Sequence, residues 1–261
     1  PLSDLCPSGP ARPRDRSGRR PVALDSGLLR RIEQSMNIES AQASPKEASI
    51  RPAALREVFA DSRDGSATGF VVASLADATA SGRPLLWVQD RQASRQAGIP
   101  SANGLAGWGV RTAIIRVQAR NAADLLWTME EGLRCAGLAA VVGEVWGAPA
   151  ALDFTATKRL VLRAEESGVP AYLLRISDVP TLSAAHERWH ARALPSAMPR
   201  HDRKAPGPPR WALDLFRARW RRPGRWEGQY DRAAHRLDLA APFSDGAVAA
   251  GQDDVQIRAM R

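Results

Sequence analysis

The sequence predicts an α/β domain whose sheet is mostly parallel and flanked by helices, followed by a small C-terminal antiparallel β extension. Three observations carry that prediction. From about residue 51 to Pro180, short apolar runs alternate with stretches of helical periodicity, the order of a chain of βαβ units. The runs Leu138–Val145 and Val169–Ile176 are almost unbroken by polar residues, as strands buried on both faces require. Beyond Pro209, segments rich in Arg and Trp are punctuated by turn residues at hairpin spacing.

The elements follow in order. Residues 1–50 read as a basic tail: a disordered Pro-, Arg- and Gly-rich stretch over 1–22, a short helix over Leu24–Met36 and a polar linker over 37–50. Residues 51–197 form the α/β core. Its first strand is Leu55-Arg56-Glu57-Val58-Phe59, and the loop Asp61-Ser62-Arg63-Asp64-Gly65-Ser66-Ala67-Thr68-Gly69 leads into a helix from Phe70 to Ala80. Leu85–Val88 is the next strand, followed by a Gly-rich stretch from Gly98 to Gly109 and a strand over Thr112–Val117. Asn121 caps a helix over Ala122–Cys135, in which Leu125, Leu126, Met129 and Leu133 share a face. After the strand Leu138–Val145, Asp153 or Thr155 opens a helix carrying Leu160, Val161 and Ala164 and closing at Ser167-Gly168. Val169–Ile176 is a strand, and His186–Leu194 fits strand or helix equally. Residues 198–240 comprise a Pro-rich connector and a β extension with strands at Trp211–Arg217, Trp226–Tyr230 and His235–Leu239. Residues 241–261 read as a flexible tail.

Composition bounds the function. The 261 residues, 44% apolar and 25% charged, are those of a globular protein with a sizeable core. A net charge of +9 invites a nucleic-acid partner. The charge is almost all Arg, however, and the chain is rich in Ala, which a GC-rich genome produces without selection for binding. Two cysteines do not make a disulfide framework, and Cys135 is expected as a small buried hydrophobe. No stretch approaches the roughly 20 apolar residues that span a bilayer, and the Arg-rich start lacks the apolar run of a signal peptide. A cytoplasmic location with no membrane partner is expected.

The loop after the first strand stands where an α/β nucleotide-binding domain carries its phosphate loop. Such a loop reads G-x-x-x-x-G-K-[ST], its N–H groups cradling phosphates, its Lys reaching the outer phosphates and its hydroxyl holding magnesium. Here Gly65 and Gly69 are one residue too close and Phe70 stands where Lys is required. Ser66 and Thr68 lie between the two glycines, Thr68 standing in only loosely for the magnesium hydroxyl, and the chain's lysines are Lys46, Lys158 and Lys204. The acidic strand end such enzymes need is Gly143-Glu144, a displaced Glu in place of Asp. Two independent defects argue against ATP hydrolysis and against a bound nucleotide cofactor.

Two further constellations compete. His186-Glu187-Arg188-Trp189-His190 fits H-E-x-x-H, which on a helix places His186 and His190 on one zinc with Glu187 as general base. Pro195 stops any helix soon after, and His201 and Glu227 are poorly spaced as a third ligand. Arg217, Arg219, Arg221, Arg222 and Arg225, interleaved with Trp220, suggest a nucleic-acid surface: Arg forks grip phosphate and Trp stacks on bases. In a strand, Arg217, Arg219 and Arg221 would line one face. The alternative is a solvated face with Trp anchors. Leu213-Asp214-Leu215-Phe216 resembles a sliding-clamp-binding peptide, although a core strand fits it better.

With these residues placed, the chain resembles the ImuA family, RecA-like members of a bacterial damage-inducible mutagenesis cassette. The carriers are Leu85–Val88, Leu125–Cys135, Ala139–Glu144, Arg159–Val169, the Trp189–Ser196 segment and the Trp211–Leu239 hairpins. The resemblance implies a RecA-like core without a working phosphate loop, and a strand rather than a helix at His186–His190. It implies a non-catalytic accessory factor of SOS-induced translesion DNA synthesis and mutagenesis. Its partners would be an ImuB-like polymerase homologue and an error-prone polymerase, with RecA and DNA as further candidates. Competing readings are a residual RecA-type ATPase, a zinc hydrolase and a SulA-like cell-division inhibitor.

Overall fold

The computed structural model describes residues 55–196 and 205–240. The expected tail, its Leu24–Met36 helix, the linker over 37–50 and the tail over 241–261 lie outside the described residues. So do residues 197–204 of the connector, including His201.

A single nine-stranded sheet runs through the described residues. Its strands are β1 (Leu55–Ala60), β2 (Leu85–Asp90), β3 (Ile114–Ala119), β4 (Ala140–Trp146), β5 (Ala171–Ile176), β6 (Glu187–Leu194), β7 (Arg210–Ala218), β8 (Gly224–Asp231) and β9 (Arg236–Ala240). The spatial order is β3-β2-β4-β5-β1-β6-β7-β8-β9. The six strands from β3 to β6 pair in parallel, and β7, β8 and β9 continue the same sheet antiparallel. The predicted fold class is the one observed, with one refinement: the β extension is not a sheet of its own, because β7 pairs along the whole of β6.

The helices are α1 (Ser66–Thr79), α2 (Arg91–Ala97), α3 (Ala102–Ala106), α4 (Ala122–Leu133) and α5 (Phe154–Ser167). Side-chain caps fix most of their starts. Asn121 accepts the Asp124 N–H at 2.9 Å, and Asp153, rather than Thr155, accepts the Ala156 N–H at 2.7 Å. Gly168 closes α5 at φ +75°, a left-handed conformation that suits glycine. The helix α2 was not predicted, yet its signal was Asp90, which accepts the Ala93 N–H at 2.7 Å.

Each face of the sheet has its own core. On one, Val58, Trp87, Val142, Leu174 and Trp189 pack beneath Phe70, Val71 and Leu75 of α1, with Trp211, Leu213, Leu215 and Tyr230 from the extension. On the other, Leu86, Val88, Val141 and Leu173 meet Leu125, Met129 and Leu133 of α4 and Leu160 and Val161 of α5, with Cys135 buried beside them. Two glycines set how closely α4 approaches: a Cβ on Gly132 would strike Leu86 Cδ2, and one on Gly143 would strike Met129 Sδ. β1 is buried along its whole length as the middle strand of the nine-stranded sheet.

Candidate functional site

The chain leaves β1 at Ala60 and enters α1 at Ser66, so the connecting loop is only Asp61–Gly65. The helix therefore starts four residues earlier than the apolar pattern implied. Ser66, Thr68 and Gly69 lie inside it, and Gly65 is its N-cap residue. The Gly69 N–H bonds to the Gly65 carbonyl at 2.9 Å, as the first turn of a helix demands. These four positions consequently do not form a flexible glycine loop.

A carboxylate stands at the start of this helix. Asp64 Oδ1 accepts the Ser66 N–H at 2.9 Å, and Asp64 Oδ2 accepts the Ala193 N–H of β6, also at 2.9 Å. The buried Ser66 hydroxyl donates to the Ala191 carbonyl at 2.8 Å. One turn on, a Cβ at Gly69 would lie 3.2 Å from the Trp211 ring, so Gly69 serves close packing against the extension. A helix N-terminus attracts anions through its unpaired N–H groups and dipole. In this protein the anion is Asp64, and the Ser66 hydroxyl is bonded into β6, while Thr68, the stand-in expected for the magnesium hydroxyl, lies half-buried within the helix.

The acidic strand end is likewise turned into the fold. Glu144 of β4 is 1% exposed, and its Oε2 accepts from Gln89 Nε2 at 2.9 Å and from Trp87 Nε1 at 3.4 Å. Its Oε1 is buried with no hydrogen-bond partner among the described residues. Burial pushes the Glu144 carboxyl above its ordinary value, outweighing the two hydrogen bonds that favour the charge.

Charges inside apolar strand runs mark a network that the sequence reading passed over. Glu57, fully buried, meets Arg188 Nε at 2.6 Å, the Ser183 hydroxyl at 2.9 Å and Arg175 Nη1 at 3.4 Å. Arg175 also donates to Asp178 at 2.7 Å, and the Arg188 guanidinium lies between the Phe59 and Phe216 rings. Across the sheet, Arg56 reaches Glu187 at 3.2 Å. Each charge of this network has an opposite partner, as burial requires. The network joins β1, β5 and β6 to the loop between β5 and β6.

The histidines do not form the expected zinc pair. Glu187 to Leu194 is a strand, in which residues four apart stand roughly 13 Å from each other. His186 is also fully engaged: Nδ1 accepts the Leu55 N–H at 3.2 Å, leaving Nε2 to donate to Glu165 at 2.8 Å. His190 packs between Phe59 and Phe216, and burial pushes its ring below the ordinary histidine value.

The arginine stripe is split. A bulge interrupts the β6–β7 register between Arg188 and Trp189, and β7 ends at Ala218. Arg217 reaches the Ser183 carbonyl at 3.4 Å and Arg219 reaches Glu165 of α5 at 3.3 Å, both on the α4–α5 face. Arg221 turns to the opposite face, stacked against Trp189 and Trp226. Its Nε lies 3.0 Å from Glu187 Oε1, an ion pair whose angle does not make a directed hydrogen bond. Arg222 is exposed at the turn, Arg225 is an exposed partner of Asp214 at 3.6 Å, and Trp220 stacks on His186 at 4.4 Å. The clamp-peptide likeness at Leu213–Phe216 falls on β7, with Leu213 and Leu215 buried.

Comparison with known proteins adds a relative. Over 165 residues the chain is 36% identical to "Protein ImuA" of Caulobacter vibrioides, recorded in strains NA1000 / CB15N and ATCC 19089 / CIP 103742 / CB 15. That match covers 58% of this chain and 66% of the relative, just under two thirds of its length. No family model matches. The crystal structure of the RadB recombinase aligns with a TM-score of 0.47 and 12% identity, over 74% of this chain and 92% of that one.

Proposed function

The chain belongs to the ImuA family, and from that premise we propose that it is a non-catalytic accessory factor of damage-induced mutagenesis. It would act in SOS-induced translesion DNA synthesis by binding partner proteins. The partners proposed are an ImuB-like polymerase homologue and an error-prone polymerase, with RecA and DNA as further candidates. One observation carries the non-catalytic part. Asp64 stands just before the helix start where a nucleotide's phosphate would sit, and its two oxygens take the Ser66 and Ala193 N–H groups. A phosphate there would meet a carboxylate of like charge, with no lysine to offset it. The buried Glu144 supports the same reading, because its Oε2 already accepts from Gln89 and Trp87 inside the fold and faces no open site for magnesium.

DNA binding is the second reading, and it rests on Arg219, Arg222 and Arg225, all exposed beyond the bulge of β7. Among the described residues no helix is long and apolar enough to cross a membrane. The proposal is tested by deleting the gene in its host and measuring mutation frequency after ultraviolet damage. Loss of induced mutagenesis, restored by the wild-type gene and equally by an Asp64→Asn variant, is expected. Unchanged induced mutagenesis in the deletion strain would overturn the proposal.

A further inference from the structure

Glu144 is a buried acid that the fold leaves half satisfied. Its Oε2 takes the Gln89 and Trp87 donors, while its Oε1 is buried with no hydrogen-bond partner among the described residues. A buried carboxylate oxygen without a donor costs most when the group is charged. The strand cannot carry it to water, because β4 lies between β2 and β5. Hydrating it requires movement of whatever covers it.

The same hydrogen bonds identify the cover. Gln89 Nε2 donates to the Gly98 carbonyl at 2.9 Å as well as to Glu144, so one amide joins the carboxyl to the segment from Gly98 to Val110 that carries α3. Gln89 is itself buried. Within that segment only Leu105 and Val110 are buried, and Ile99 is 60% exposed. Among the described residues no other hydrogen bond ties it to the sheet. At its far end Trp108 packs on Tyr230 with ring centroids 4.6 Å apart, and Gly109 lies against His235. Gly98 and Gly109 both adopt φ +82°, so two residues suited to absorb a hinge rotation bracket the strap.

The surrounding charges leave an ionised Glu144 without support. The charged group that faces it is Asp90 of β2, of like sign. β5 sets Leu174 beside it, and Arg175 is engaged with Glu57 and Asp178. α1 has no charged residue before Asp77, and Arg91 and Arg95 of α2 are exposed to solvent. Burial pushes the Glu144 carboxyl above its ordinary value, and opening would admit water and return it there. The closed form therefore holds the proton more tightly. It is favoured at low pH and gives way as pH rises through the interval between the two values.

We propose that Glu144, Gln89 and Gly98 form a latch: the strap from Gly98 to Val110 stays closed over the carboxyl ends of β2 and β4 while Glu144 is neutral, and opens when it carries charge. Hydrogen exchange of the full chain, followed by mass spectrometry and corrected for the intrinsic pH dependence of amide exchange, tests the latch. The amides to follow are those of Leu105, Gly107, Trp108 and Val110, each bonded within the strap, against those of β5. From acid to mildly alkaline pH, the wild-type strap amides are expected to lose roughly tenfold in protection while β5 is unchanged. In Glu144→Gln the loss should shrink to within about twofold. That variant leaves His235 at the far end in place, so the difference belongs to Glu144. Gln89→Met, which keeps bulk but no donor, is expected to open the strap at acid pH too. Equal pH dependence in wild type and Glu144→Gln, or a Gln89→Met strap as protected as wild type at acid pH, would overturn the proposal. So would loss of protection in β5 together with the strap, which is global unfolding.

Discussion

Asp64 is the residue on which the chemistry turns, and its role was only half legible in the sequence. The missing lysine could be read directly, because Phe70 follows Gly69. The replacing carboxylate could not, because one of its two partners, Ala193, is 129 residues away and the other depends on where α1 begins. Removing the carboxylate in Asp64→Ala leaves two N–H groups without an acceptor. A loss of roughly 1–2 kcal/mol is expected for the two unpaired groups, read as a lower urea midpoint at unchanged slope. Glu144 makes a pH-dependent prediction. Its folded carboxyl titrates above its unfolded value, so the native state holds the proton more tightly than the unfolded chain. As pH rises past the unfolded value, the unfolded chain releases its proton first and stability falls until the folded carboxyl also ionises. Glu144→Gln keeps the acceptor for Trp87 and Gln89 but cannot titrate. Its stability relative to wild type is therefore expected to improve from acid to mildly alkaline pH, and a constant difference across thermal melts would show that the group does not titrate this way.

At the scale of elements, the strands β1, β2, β4 and β5 were readable because buried parallel strands are nearly continuous apolar runs. Helix α4 was readable from Asn121 and the spacing of Leu125, Met129 and Leu133. What escaped was decided by distant contacts. α1 extends back to Ser66, whose N–H is held by Asp64 and whose hydroxyl is held by Ala191, and Glu187–Leu194 becomes strand because β1 and β7 flank it. Within Leu125–Cys135, one carrier of the family likeness, Gly132 has a packing reason: it lets α4 close on Leu86. Gly143 does the same beneath Met129, so Gly143→Ala is expected to cost about 1–3 kcal/mol of overpacking, measured by chemical denaturation. The bulge in β7 makes a second element-level prediction. Arg221 is a packed side chain between Trp189 and Trp226, whereas Arg219 lies at the surface. Arg221→Ala should lower stability by roughly 1–2 kcal/mol, and Arg219→Ala should remain within about 0.5 kcal/mol. Equal effects in paired melts would mean that the stripe was not split.

At the scale of the whole molecule, two surfaces of different character share one sheet. The α4–α5 side carries exposed apolar side chains among paired charges, and the tip of the extension is rich in exposed Arg. The overall charge of +9 blurred that division, because a sum over the chain does not say where charges are paired. Burial shows that Arg56, Arg175 and Arg188 serve Glu57 and Glu187 within the fold rather than an outside polyanion. On the function proposed above, Asp64 fills from within the anion position at the start of α1. Titration calorimetry of the full chain with Mg·ATP at physiological magnesium tests that claim most directly. The account predicts no saturable heat up to millimolar nucleotide; a saturable isotherm with one nucleotide per chain would contradict it.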